Sequence, residues 1–195
     1  MYGLVNQGLE DYIRQQFGDA NWATILVRAG IDLDMFVAMQ SYPDEVTGRL
    51  IGAGSDILGM APESLLEGFG EHWILYTAQA GYGDMLAMFG STLQEFLFNL
   101  DNLHSHVTLT FPALRPPSFS VEPGEAAEEI QVHYRSSRHG LAPFVIGLLR
   151  GLGKRFGQDL TIQHLQAAPA EGPVHEVFKV TCAQPLSDAP CKSRT

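Results

Sequence analysis

The spacing of apolar residues changes once along this chain, and the change falls within a proline-rich stretch. Up to about Thr110 they recur every three or four positions, and from Ile130 they alternate. A period near 3.6 marks a helix buried along one stripe, and a period of 2 marks a strand buried on one face. The chain therefore predicts helices first and strands second, an α+β fold. Leu4, Val5, Leu9, Tyr12, Ile13 and Phe17 form the first helical stripe, with Gly18 as its stop. A short helix over 20–29 follows, around Trp22, Ile25 and Leu26. Tyr42-Pro43-Asp44-Glu45 opens a third helix that runs toward Leu58. Pro62 stands in the first turn of a fourth, which carries Leu65, Leu66, Phe69, Trp73 and Tyr76. Gly81 and Gly83 interrupt before a short segment from Asp84 to Phe89. One helix is then expected over 92–108, opened by Ser91 and Gln94 at capping-box spacing.

Pro112, Pro116 and Pro117 exclude regular helix after it. Beyond Pro123, Ile130, Val132, Tyr134, Ser136 and Arg138 alternate with Gln131, His133, Arg135 and Ser137, which is strand spacing. Residues 141–156 read as an apolar helix. Leu160 and Ile162, then Phe178 and Val180, read as the arms of a β-hairpin around a Pro/Gly loop at 168–173. Residues 118–128 are the loosest join, and 183–195 read as a flexible tail. No polar linker divides the chain and no repeat occurs. Residues 1–182 are thus expected to form one domain, with a mainly helical subdomain over 1–60 and a mixed α/β subdomain with an antiparallel sheet over 61–182.

Hydrophobic residues make up 45% of the chain and charged residues 17%, the reverse of a disordered balance. The net charge of −10 disfavours nucleic acid and anionic membrane surfaces, whose phosphates it repels. No apolar run is long enough to span a membrane, and the N-terminus lacks the basic lead and cleavage site of a signal peptide. A cytoplasmic protein is expected. The two cysteines, Cys182 and Cys191, read as free thiols. No Cys-x-x-Cys-His run is present to attach a haem covalently.

Two features carry chemistry. Leu93, Leu97, Leu100 and Val107 lie at helical spacing from His104, which puts its imidazole on an apolar face. Such a histidine is a core residue bonded to a carbonyl or the single axial ligand of a haem iron, since haem wants one neutral imidazole within apolar walls. The seven histidines show no zinc-ligand spacing. Strand alternation places Tyr134, Ser136 and Arg138 on one side, a phenol, a hydroxyl and a guanidinium in a row. They face water, or they hold a carboxylate or phosphate, which such donors suit.

In these features the chain resembles the haem nitric oxide/oxygen-binding (H-NOX) domains, relatives of the haem domain of soluble guanylate cyclase. The likeness runs from the MYGLVN opening to about Val180. It includes the Tyr-x-Ser-x-Arg motif at Tyr134-Arg135-Ser136-Ser137-Arg138, the proximal histidine at His104 in LDNLHSHV, and the double proline Pro116-Pro117 in LRPPSF. The resemblance implies a non-covalent haem b between the two subdomains. His104 would be its axial ligand, Tyr134, Ser136 and Arg138 its propionate clamp, and Pro117 a contact that distorts the porphyrin. Leu9, Trp73 and Pro143 match distal positions, with Pro143 where oxygen-binding members carry a tyrosine, and Val5 would be a further haem contact. A pocket without that donor favours nitric oxide and carbon monoxide over stable oxygen binding.

The resemblance further implies a sensor and not an enzyme, closest to bacterial members that sense nitric oxide. Nitric oxide would weaken the bond from iron to His104, release its helix and reorient the subdomains. The reader of that change would be a separate histidine kinase or cyclic-dinucleotide enzyme. Two alternatives stand beside it. A haem peroxidase or oxygenase would need a polar distal group for acid–base work, which Leu9, Trp73 and Pro143 do not offer. A haem-free binder of an apolar carboxylate would use the same cavity and clamp.

Overall fold

The first apolar stripe forms α1 (Gly3–Phe17), and it stops where Gly18 adopts a φ of 91°, a conformation a side chain would resist. In this computed structural model, residues 1–111, 113–167 and 172–183 are described. Next come α2 (Asp19–Arg28), α3 (Asp44–Leu58) and α4 (Pro62–Thr77). The apolar faces of these four helices close on one another through Leu9, Ile13, Trp22, Ile25, Leu50 and Leu65. Within this core the Thr47 hydroxyl donates to Asn6 Oδ1 at 2.7 Å, joining α3 to α1.

A π-helical turn, Ala78–Tyr82, and the short α5 (Gly83–Ala87) follow. The helix expected over 92–108 is two helices, α6 (Leu93–Phe98) and α7 (Leu100–Thr110), broken at Asn99. There ψ turns to 6° and the side-chain amide donates to the Glu95 carbonyl at 3.0 Å. This is the local competition by which asparagine ends helices. The helix start also differs by one residue from the expected box. Thr92 Oγ1 accepts from the Glu95 amide at 3.2 Å, and the Glu95 carboxylate accepts from the amide and hydroxyl of Ser91. A carboxylate takes the free donors at a helix start better than the neutral Gln94 amide.

The remaining elements are β1 (Ser118–Pro123), β2 (Glu129–Ser136), α8 (Ala142–Arg155), β3 (Leu160–Gln166) and β4 (Val174–Cys182). They give an antiparallel sheet in the order β1-β2-β4-β3. β1 lies in the segment read as a loose join. β3 and β4 pair as the expected hairpin arms, Leu160 opposite Cys182. Residues 168–171 of the expected loop, and the expected tail from 184 onward with Cys191, lie outside the described residues. The sheet's inner face, with Ile130, Val132, Phe178 and Val180, meets Val145, Leu149 and Leu152 of α8 and Phe96, Leu97, Leu100 and Leu103 of α6 and α7. Cys182 is buried there, and burial pushes its thiol pKa up.

α4 joins the two cores. It gives Leu65 and Phe69 to the first and Ile74 to the second, while Trp73 packs against both. It crosses α8 at close range. A Cβ on Gly147 would sit 2.0 Å from the Glu67 carbonyl oxygen, so only glycine permits the approach. Ion pairs Arg150–Glu67 and Lys154–Glu71 flank the crossing. No helix among the described residues is long and apolar enough to cross a membrane.

Candidate functional site

Helices α1, α4, α7 and α8 and strands β1 and β2 do not meet at one point, and a cavity of about 280 Å³ opens between them. Its wall is built from the faces the helical period predicts. Leu100, Leu103, His104 and Val107 come from α7, and Phe144, Val145, Leu148, Leu149 and Leu152 from α8. The polar groups gather where the strand β2 ends. Tyr134 and Ser136 reach the cavity from β2, and Arg138 lies two residues past the strand beside Pro116 and Pro117.

His104 is the histidine on this wall. Its ring stacks on Phe119 with centroids 5.5 Å apart, and its Nδ1 is buried with no hydrogen-bond partner. Burial pushes its pKa below the ordinary histidine value, against the opposing pull of the Asp101 carboxylate. The imidazole is therefore neutral at neutral pH, the form that binds a metal. Among the described residues no group of three His, Cys, Asp or Glu side chains could hold a metal ion. A metal at His104 must bring its other ligands with it.

Tyr134 is buried, and that burial raises its pKa while hydrogen bonding with Ser136 and the charge of Arg138 lower it, so its hydroxyl stays a donor. Arg138 is held on three sides. Its backbone amide donates to Ser136 Oγ at 3.0 Å, its Nε to Asp44 Oδ2 at 2.7 Å, and its Nη1 to the Arg115 carbonyl at 2.8 Å. Burial raises the pKa of Asp44, but hydrogen bonds from the Met1 ammonium and from Arg138 outweigh it and hold the carboxylate below its usual range.

Of the residues expected from sequence, His104, Tyr134, Ser136, Arg138, Pro117, Val5 and Trp73 line this one cavity. Leu9 and Pro143 do not. Leu9 lies one turn along α1 from Val5, 1% exposed in the first core, against which Val5 also packs. Pro143 stands in the first turn of α8, and the next residue, Phe144, takes the place on the wall. The signal for Phe144 was present in the sequence. Leu141, Phe144, Val145, Leu148, Leu149 and Leu152 share one helical face, and Pro143 is off it. Tyr82, Phe119 and Arg115 also line the cavity and carried no sequence signal.

This is an apolar slot with one neutral imidazole on its wall and a cluster of donors at its mouth. It suits a flat apolar group that offers a metal to the ring and carboxylates to the rim. The Haem-NO-binding family matches residues 2–164. The chain belongs to the Haem-NO-binding family.

Its relatives include soluble guanylate cyclase gcy-31 of Caenorhabditis elegans, 30% identical over 158 residues, which are 81% of this chain and 22% of that protein. The guanylate cyclase soluble subunit beta-2 of Rattus norvegicus is 40% identical over 94 residues, 48% of this chain and 14% of that one. The chain thus spans about a fifth or less of these cyclases. Among solved structures, an H-NOX protein from S. oneidensis in the Fe(II) ligation state superposes with a TM-score of 0.84 at 19% identity, covering 95% of this chain and 97% of that one. An oxygen-binding H-NOX domain related to soluble guanylate cyclases superposes at 0.80 and 19% identity, covering 97% and 99%. The α+β fold is that of the H-NOX domains. A Haem-NO-binding domain is a haem gas-sensor domain and not an enzyme, as the sequence led us to expect. The residues present fit a haem: the orphaned nitrogen of a neutral histidine, apolar walls, and donors at the rim.

Proposed function

We propose that this protein senses nitric oxide, and binds carbon monoxide, through a non-covalent haem b held by His104, and that it signals by releasing that histidine. The observation that carries the reading is the lone neutral imidazole facing an apolar cavity with a carboxylate clamp at its mouth. When bound, haem supplies the ferrous iron that takes the gas.

The chain's own residues do the rest. Tyr134 and Ser136 donate to a propionate, and Arg138 adds charge. Pro117, fixed in φ and lining the cavity, would press on a porphyrin held there. Val5, Trp73 and Phe144 keep water and strong donors from the gas side, so a polar oxygen complex gains little while nitric oxide and carbon monoxide lose little. Leu9 and Pro143 support this wall from behind. The Trp73 indole N–H is the one donor of the expected distal set.

His104 restrains α7. Leu100 and Leu103 are that helix's buried residues, no side chain caps its N-terminus, and Asp101 ties it to β1 by accepting from the Phe119 amide at 2.6 Å. Freed from the iron, α7 shifts and pulls β1 with it. The segments 1–60 and 61–182 then reorient about α4, which packs into both cores. A gas would drive this only through its unequal affinity for the two arrangements, and loss of the bond to His104 would supply the inequality. The change is read by a separate effector, a histidine kinase or a cyclic-dinucleotide enzyme in a bacterial cytoplasm.

Replacing His104 with Gly tests this. The reduced variant is expected to adopt the α7 arrangement of the gas-bound protein without gas, and to keep it when imidazole is supplied to hold the haem, since free imidazole has no bond to α7, as read by amide exchange over residues 100–110. Normal gas-driven exchange in the variant without imidazole would overturn it. A protein that purifies colourless after haem supply would favour the binder of an apolar carboxylate.

A further inference from the structure

The rim of the cavity carries a second arginine, Arg115, outside the Tyr134/Ser136/Arg138 clamp. Arg138 is partly committed. Its Nε–H donates to Asp44 and one Nη1–H to the Arg115 carbonyl, which leaves the other Nη1–H and the two of Nη2 to a ligand. Asp44 also offsets its charge. A ligand with two carboxylates therefore meets one clamp whose cation is already paired.

Arg115 differs on each count. No carboxylate pairs with its side chain among the described residues. Its backbone is fixed twice. Pro116 confines the preceding residue to extended geometry, and the bond from Arg138 pins its carbonyl. A planar fork on such a mount suits a carboxylate.

We propose that Arg115 binds the second carboxylate of the cavity's ligand, so that the two arginines hold one carboxylate each. This rests on the haem reading and assigns the two propionates to different cations. The site is exposed, so the effect is modest and falls with salt.

The test is the rate at which haem-loaded protein loses haem to excess apomyoglobin, for the wild type, Arg115→Gln and Arg115→Lys, each with ordinary haem and with haem dimethyl ester. Arg115→Gln is expected to speed loss of ordinary haem by about three- to five-fold at low salt. Arg115→Lys should recover most of that, and the dimethyl ester, which has no carboxylates, should leave all three proteins alike. Equal rates with ordinary haem, or the same acceleration with the ester, would overturn the assignment while leaving His104 as haem ligand. A wild type that takes up no haem would sink both readings.

Discussion

In the first core, Leu9, Trp22, Ile25, Leu50 and Leu65 fill the space among four helices, and each is at most 1% exposed. In the second, Ile74, Leu86, Leu100, Leu103 and Phe119 keep 7–8% exposure, and all of them line the cavity. The residue types are the same. The difference is that the first set closes on itself, whereas the second surrounds a slot that its own side chains do not fill. Protein interiors pack to near-crystalline density, so an unfilled slot of this size with a neutral imidazole on its wall is a place for another molecule. One region is scaffold, and the other is completed by what it binds.

The comparison breaks most visibly at Trp22. Trp22→Ala should cost about 3–5 kcal/mol, as truncation in a filled core does, and the cost measured by urea unfolding should be equal in haem-free and haem-loaded protein. A loss that depends on haem would mean that the first core is not independent of the site. Haem itself is expected to act on the second region. With free haem at a hundred times its dissociation constant it should add about 2.7 kcal/mol and slow amide exchange in α7 and β1 more than in α2 and α3. Uniform protection would erase the distinction.

A smaller effect sharpens it. Phe119 already borders empty space, so Phe119→Ala should cost only about 1–2 kcal/mol in the haem-free protein, below the usual range for a filled core. In haem-loaded protein the cost should rise, because the ring then has a partner on both sides. The smallest expected effect is one of pH. Burial holds the His104 pKa below the ordinary histidine value of about 6.5 in the fold. The unfolded chain therefore takes up a proton near 6.5 that the fold refuses. This contribution to stability is complete above that range and is lost as the pH falls below it. Haem-free wild type should lose stability on acidification more steeply than His104→Gln, and identical slopes would contradict the buried, neutral imidazole.

Much of the fold was legible because long amphipathic stripes set it. The stripe of α1 with its Gly18 stop, the proline starts of α3 and α4, and the alternation of β2 all follow from period alone. β1 was not legible. Only Phe119 and Val121 point inward in SFSVEP, and two residues do not make a period. The break at Asn99 was hidden for the opposite reason, since Leu97, Leu100 and Leu103 continue the apolar face across it. For the site, the sequence put His104 on an apolar helix face and Tyr134, Ser136 and Arg138 on one strand side, and likeness to relatives chose their chemical reading over a core histidine and a solvated strand end. Leu9 and Pro143 were carried by likeness to relatives, and Arg115 reaches the rim only through a tertiary bond from Arg138.

The central claim is that nitric oxide binding parts His104 from the iron, and the visible absorption spectrum of the reduced, haem-loaded protein tests it most directly, taken before nitric oxide, after it, and separately in air. The account predicts iron held by one histidine at rest, the signature of iron without histidine after nitric oxide, and no stable oxygen complex in air. A nitric oxide spectrum that keeps the histidine bond would contradict it, and a stable oxygen complex would contradict the apolar gas side.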